Sequence, residues 1–155
     1  MVVMNRIFIH QNGFGGNSLM RNKMDINKYT SFFHDGSIFK IDHKENFITI
    51  YMQSAEMHEE DIVDDLILTK KDRIRGNLHI EGVKKVINNH KEILEKIGMK
   101  FPKAEILDFD LYENKVELQI LWNTIPMGDR SNDFSALEIT ADKIWWENLP
   151  DSEEI

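Results

Sequence analysis

Apolar and polar residues alternate along two stretches of the chain that have nearly the same shape. The first, "IFKIDHKENFITIYMQS" (residues 38–54), and the second, "ILDFDLYENKVELQILW" (106–122), align without gaps. Ile38, Asp42, Glu45 and Asn46 recur as Ile106, Asp110, Glu113 and Asn114. Phe39, Ile41, Ile48, Ile50 and Met52 recur in character as Leu107, Phe109, Val116, Leu118 and Ile120. Strand side chains point alternately to opposite faces, so Phe39 and Ile41 fall on one face, as do Ile48, Ile50 and Met52. The Glu-Asn pair in each connection suits a turn, because Asn tolerates left-handed backbone angles. Each stretch predicts an antiparallel hairpin.

A second correspondence follows each hairpin. "NLHIEGVKKV" (77–86) resembles "ALEITADKIW" (136–145), with small Gly82 facing Ala141. The order is hairpin, variable link, strand with a tight turn, and then the same again, which suggests two similar β modules sharing one core. Between them, "VINNHKEILEKIGMKFP" (86–102) reads as a short helix. His90, Ile93, Leu94 and Ile97 recur at helical spacing, Asn88 or Asn89 can cap its start, and Gly98 and Pro102 stop it. The fold class expected is mainly β: an antiparallel sandwich or curved sheet built from two hairpin-plus-strand modules, with one short helix between them.

The remaining text divides into a loose N-terminal stretch (1–23), a single β-rich domain (24–150) and a frayed tail (151–155). Within the domain, "MDINKYTSFFHDGS" carries Tyr29, Phe32 and Phe33 and is expected to cover the sheet. The two hairpins differ on their outer faces. The second presents Lys115, Glu117 and Gln119, whereas the first presents Phe47, Thr49 and Tyr51 with Ile38 across the turn. Such an apolar face must meet either Phe32 and Phe33, the helix, or a partner. Of Trp145 and Trp146, one is expected to point inward and the other to the surface.

Composition narrows the function classes. A 155-residue chain forms most simply one domain, long enough to bury about two-thirds of its unfolded surface. Without cysteine there is no disulfide scaffold, thiolate zinc site or cysteine nucleophile. No apolar run approaches the roughly 20 residues of a spanning helix, and no secretion signal stands out, so neither a membrane nor export is expected and cytoplasmic residence fits. The net charge of −8 is uneven: residues 1–34 carry +3 and residues 35–155 carry −11. An acidic body repels a phosphate backbone, so nucleic acid is not an expected ligand; a basic protein partner is.

Candidate chemistry is sparse. "IFIHQNGFGGNS" begins like a dinucleotide loop, but Ser18 stands where the last glycine belongs and no βαβ unit follows. His34 beside Asp35 offers two metal ligands without a third, and Asp35-Gly36 is by itself a turn signal. "SAEMHEEDIVDDL" gathers Glu56, Glu59, Glu60, Asp61, Asp64 and Asp65 within ten residues without the pattern of a calcium loop. A solvated acidic loop, partly neutralised by the following "KKDRIR", is one reading; a surface for Lys and Arg of a basic partner is the other.

The run "FFHDGSIFKIDHKENFITIYMQSAEM", with "GNLHIEGVKKV" and "SALEITADKIWWE", resembles small bacterial immunity proteins of polymorphic toxin systems over residues 24–148. The resemblance implies a non-enzymatic inhibitor of a cognate toxin, often a nuclease, that needs no cofactor. Together with the charge it points to a partner-binding surface made of Glu56, Glu59, Glu60, Asp61, Asp64 and Asp65, with Phe47 and Tyr51. The competing readings are a small-molecule or carbohydrate ligand on the Tyr51 or Trp146 surface, and a metal-dependent enzyme using His34 and Asp35.

Overall fold

The computed structural model describes residues 23–122 and 133–151. Most of the expected loose N-terminal stretch, the glycine-rich loop at 13–16 and most of the tail lie outside the described residues. The fold is mainly β and wholly antiparallel. Its strands are β1 (Lys23–Met24), β2 (Ser37–Lys44), β3 (Phe47–Gln53), β4 (Arg75–Asn88), β5 (Lys91–Ile93), β6 (Ala104–Leu111), β7 (Lys115–Trp122) and β8 (Phe134–Asn148). Of the two architectures expected, the curved sheet is the one formed. It curves far enough to close, because β4 pairs with β8 and β2 with β6. The resulting ring runs β2-β3-β4-β8-β7-β6, with β1 and β5 as short additions outside it.

The two modules repeat one register. In β2–β3 the pairing slips between Ile38 and Lys40; in β6–β7 it slips at the matching place, between Ile106 and Asp108. Phe47 pairs with Glu81, and its counterpart Lys115 pairs with Thr140, so each hairpin meets its following strand alike. These two β-bulges correct the simple alternation. An extra residue reverses facing, so Ile38 and Ile41 both turn inward and Phe39 turns out against Tyr51, with ring centroids 5.8 Å apart. Ile38 therefore belongs to the core and not to the outer face expected for it.

The turns also differ from the simple residue preference. The left-handed angle falls on Glu45 (φ 54°). The two Asn residues instead tie each turn to the bend of the next long strand: Val83 N donates to Asn46 O, and Ala141 N donates to Asn114 O, both at 2.9 Å. Gly82 takes φ 69° where β4 leaves β3. At Gly76 a Cβ would overlap the carbonyl oxygen of Glu147, so β4 and β8 approach there as only glycine permits.

The helix expected over 86–102 is not formed. Asn89 and His90 both take positive φ (53° and 73°), which makes a tight hairpin turn joining β4 to β5. Asn89 fixes it against β8: its Oδ1 accepts from Ala136 N at 2.9 Å, and its backbone N–H donates to Ala136 O at 2.9 Å. Ile93 pairs with Val86 while Leu94 stands 90% exposed, so the apolar residues do not share a helical face. An isolated helix of two or three turns is marginal, and the strand pairing outcompetes it. The helical element lies upstream instead, a 3-10 helix over Ile26–Phe33 whose start is capped by Asp25 Oδ1 accepting from Asn27 N.

That helix does not cover the outer face of the first hairpin. Its buried Phe33 enters the core edge-on, 5.1 Å from Phe109 and 5.7 Å from Trp146. Inside the ring, Ile48, Ile50, Met52, Leu78, Ile80, Ile106, Val116, Leu118, Ile120 and Ile139 are buried. Trp146 is the inward tryptophan and Trp145 the half-buried one, so Trp146 offers no ligand surface.

Candidate functional site

The acidic residues lie on the connection between β3 and β4, residues 54–74. Its two ends are clamped: Ser54 N donates to Ile74 O and Ile74 N donates to Ser54 Oγ, each at 2.8 Å. Met57, Leu66 and Thr69 are buried, and Met57 N donates to Asp72 O across the connection. Thr69 Oγ1 accepts from the backbone N–H of Lys71 and of Arg73, shaping the turn before β4. The segment is thus an ordered strap of backbone whose acidic side chains face solvent.

Two of the six carboxylates serve this order. Asp61 closes a short 3-10 turn (Glu59–Asp61) by accepting from His58 N at 3.0 Å. Asp64 accepts the buried Tyr29 hydroxyl at 2.6 Å and Leu66 N at 3.2 Å, with Lys28 Nζ 3.5 Å away. The Tyr29 hydroxyl in turn accepts from Val63 N at 3.2 Å. The hydrogen bond from Tyr29 holds the Asp64 carboxyl below its usual range. Burial, and then that same bond, push the Tyr29 phenol up. At the far end, Asn148 Nδ2 donates to Ile67 O at 2.9 Å.

With Leu66 buried and Asp64 bonded to Tyr29, Glu56, Glu59, Glu60 and Asp65 are exposed and without partners among the described residues. Among the described residues Lys70, Lys71 and Arg73 form no ion pair with them. Among these acids Val63 and Ile67 stand 71% and 64% exposed. In the sequence the charges on either side mask both residues. The available signal was the number of apolar residues in "EEDIVDDLIL", more than one short connection can bury.

Phe47 and Tyr51 do not join this surface as one patch. Tyr51 lies near the clamped end of β3, half-buried beside Phe39. Phe47 is half-exposed but begins β3, and at about 3.3 Å per residue it stands roughly 20 Å from the strand's other end.

The outer face of β3, β4 and β8 holds a polar network that the sequence did not announce. His79 stacks on Trp145 with centroids 4.3 Å apart, and its Nε2 donates to Glu147 Oε1 at 2.7 Å. Asn77 Nδ2 donates to the same oxygen at 3.3 Å, and Trp145 Nε1 donates to Glu81 Oε2 at 2.6 Å. Beside it, Arg75 donates twice to Gln53 Oε1, both side chains being buried. These bonds bind the three strands to one another across their outer surface.

His34 is exposed, and its Nδ1 donates to Leu107 O at 2.6 Å, which raises its pKa; Asp35, 3.6 Å away, adds to this. Asp35 itself takes φ 72° in the turn before β2. Among the described residues no three His, Asp or Glu side chains converge to hold a metal ion. None of the described helices is long and apolar enough to cross a membrane.

No family model matches the chain, and no curated protein or solved structure matches it significantly.

Proposed function

We propose that the chain is a non-enzymatic protein-binding module, an immunity-type inhibitor of a basic, nuclease-type toxin, acting in the cytoplasm. One observation carries the reading: Val63 and Ile67 project 71% and 64% exposed from an anchored connection whose free carboxylates are Glu56, Glu59, Glu60 and Asp65. Apolar anchors at the centre and charges around them are the usual division of labour in an interface. The clamps at Ser54, Asp64 and Asn148 lower the entropy lost on binding, since the connection is already ordered. The net charge of −8 speeds encounter with a cationic surface and opposes nucleic acid.

The product of a neighbouring toxin-like gene should form a complex with the chain that weakens as salt is raised. Val63→Asp or Ile67→Asp should each cost at least about tenfold in affinity through faster dissociation. Reversing Glu59, Glu60 and Asp65 to Lys should instead slow association and flatten the salt dependence. A toxin complex indifferent to all of these changes would place the interface elsewhere. Absence of any complex at low salt would remove the immunity reading.

A further inference from the structure

We propose that residues 94–103, the stretch carrying the chain from β5 to β6, form a strap latched to the first hairpin by His43 and released when that imidazole takes up a proton. The latch is one hydrogen bond: the backbone N–H of Ile97 donates to His43 Nδ1 at 3.0 Å. Among the described residues it is the only hydrogen bond made by residues 94–103. Otherwise the strap is held by the partial burial of Ile97, Met99 and Phe101 against the core, and by Lys103, whose ammonium lies 6.0 Å from the Phe39 ring centre. Leu94 is exposed at its start.

An imidazole nitrogen that accepts a backbone N–H carries no proton, so the latched state requires neutral His43. Protonation places a second N–H against the first and turns an attraction into a repulsion. The surroundings keep the ring neutral near pH 7. Burial comes first, then Lys96 on the strap itself, and together they hold the pKa below the ordinary imidazole range; a backbone hydrogen bond with Glu45 acts weakly the other way. The other groups packed about the ring add no compensating charge. Its partner on β3 is Ile48, and its neighbours in β2, Asp42 and Lys44, pair with each other at 3.8 Å. The sign follows: the native state binds fewer protons than the unfolded chain here, so the latch is whole above the ordinary imidazole range and is lost as pH falls through the lowered value.

Release frees the apolar side of Ile97, Met99 and Phe101 while the ring of strands stays intact. An acid compartment or an acidic surface layer is then the condition under which this end of the molecule becomes sticky.

The test is amide exchange by NMR between pH 7.5 and 4.5, read as protection factors so that the intrinsic pH dependence cancels. In the native chain the Ile97 amide should lose roughly tenfold or more of its protection, the scale of one hydrogen bond, while Ile50 and Leu78 amides keep theirs. His43→Asn supplies Oδ1 as an acceptor that does not titrate, and should keep Ile97 protected throughout. Ring nitrogen shifts should show Nδ1 unprotonated at neutral pH. Constant Ile97 protection in the native chain, equal loss in His43→Asn, or loss shared by Ile50 and Leu78 would each overturn the proposal. If His43→Asn does not fold, the ring nitrogen titration compared with the native Ile97 profile decides it: the two must share one midpoint.

Discussion

Asp64 shows how one side chain can separate a structural role from the charge cluster in which it sits. It accepts the hydroxyl of a tyrosine that is itself 1% exposed and fixes the backbone at Leu66. Asp64→Ala leaves the Tyr29 hydroxyl without its acceptor and should destabilise the fold by about 1–3 kcal/mol in urea denaturation. Asp64→Asn keeps an acceptor oxygen and should lose clearly less. Because the native carboxyl is held below its ordinary range, its contribution is fully present above that range and is lost as pH falls through the lowered value. Acid titration of stability should therefore be shallower in Asp64→Asn than in the native chain, and identical slopes would show that the Tyr29 bond does not favour the ionised form. Glu59, Glu60 and Asp65, with no such contact, should tolerate neutral substitution with stability changes within about 0.5 kcal/mol. None of this division is legible in "EEDIVDDL". It is made by Tyr29, 35 residues away in sequence.

At the scale of the element, the hairpins were legible and the connector was not. Alternation over 38–54 and 106–122 reports a half-buried strand directly, because burial of one face is what produces it. The bulges at Phe39 and Leu107 were not legible, since one added residue preserves the letters while reversing the face they meet. The supposed helix failed for a different reason. The spacing of Ile93, Leu94 and Ile97 is helical, but Asn89 is bound to β8 by three hydrogen bonds that no local pattern records. Asn89→Ala removes both side-chain bonds and leaves a left-handed position without a residue suited to it. The expected result is a loss of about 1–2 kcal/mol, with exchange protection lost first at β5 and little changed in β3. A uniform loss over all strands would show that the turn is no local clamp.

At the scale of the whole molecule, the partition of roles follows from closure. The inner face of the ring is apolar apart from Ser135, which accepts from the Trp122 indole, and the outer face carries the His79–Glu147 and Arg75–Gln53 bonds that hold neighbouring strands. Two similar modules were visible in the letters, but not that they meet at both ends, because the β4–β8 and β2–β6 pairings join residues far apart in sequence. The second seam is short, Ser37 with Glu105 and Ile38 with Ala104, reinforced by Asp35 N to Ile106 O and Ile106 N to Gly36 O. The first is long, from Gly76 with Asn148 to Asn88 with Leu137. Each half therefore presents to the other an apolar surface and a row of unpaired backbone groups. Cutting the chain at exposed Gly98 should yield two fragments that are each unfolded alone and regain β circular dichroism when mixed. Either fragment folding by itself would contradict this. The repeated register thus makes the protein, in effect, a heterodimer of two half-barrels on one chain, whose stability should become concentration-dependent once the peptide between them is broken.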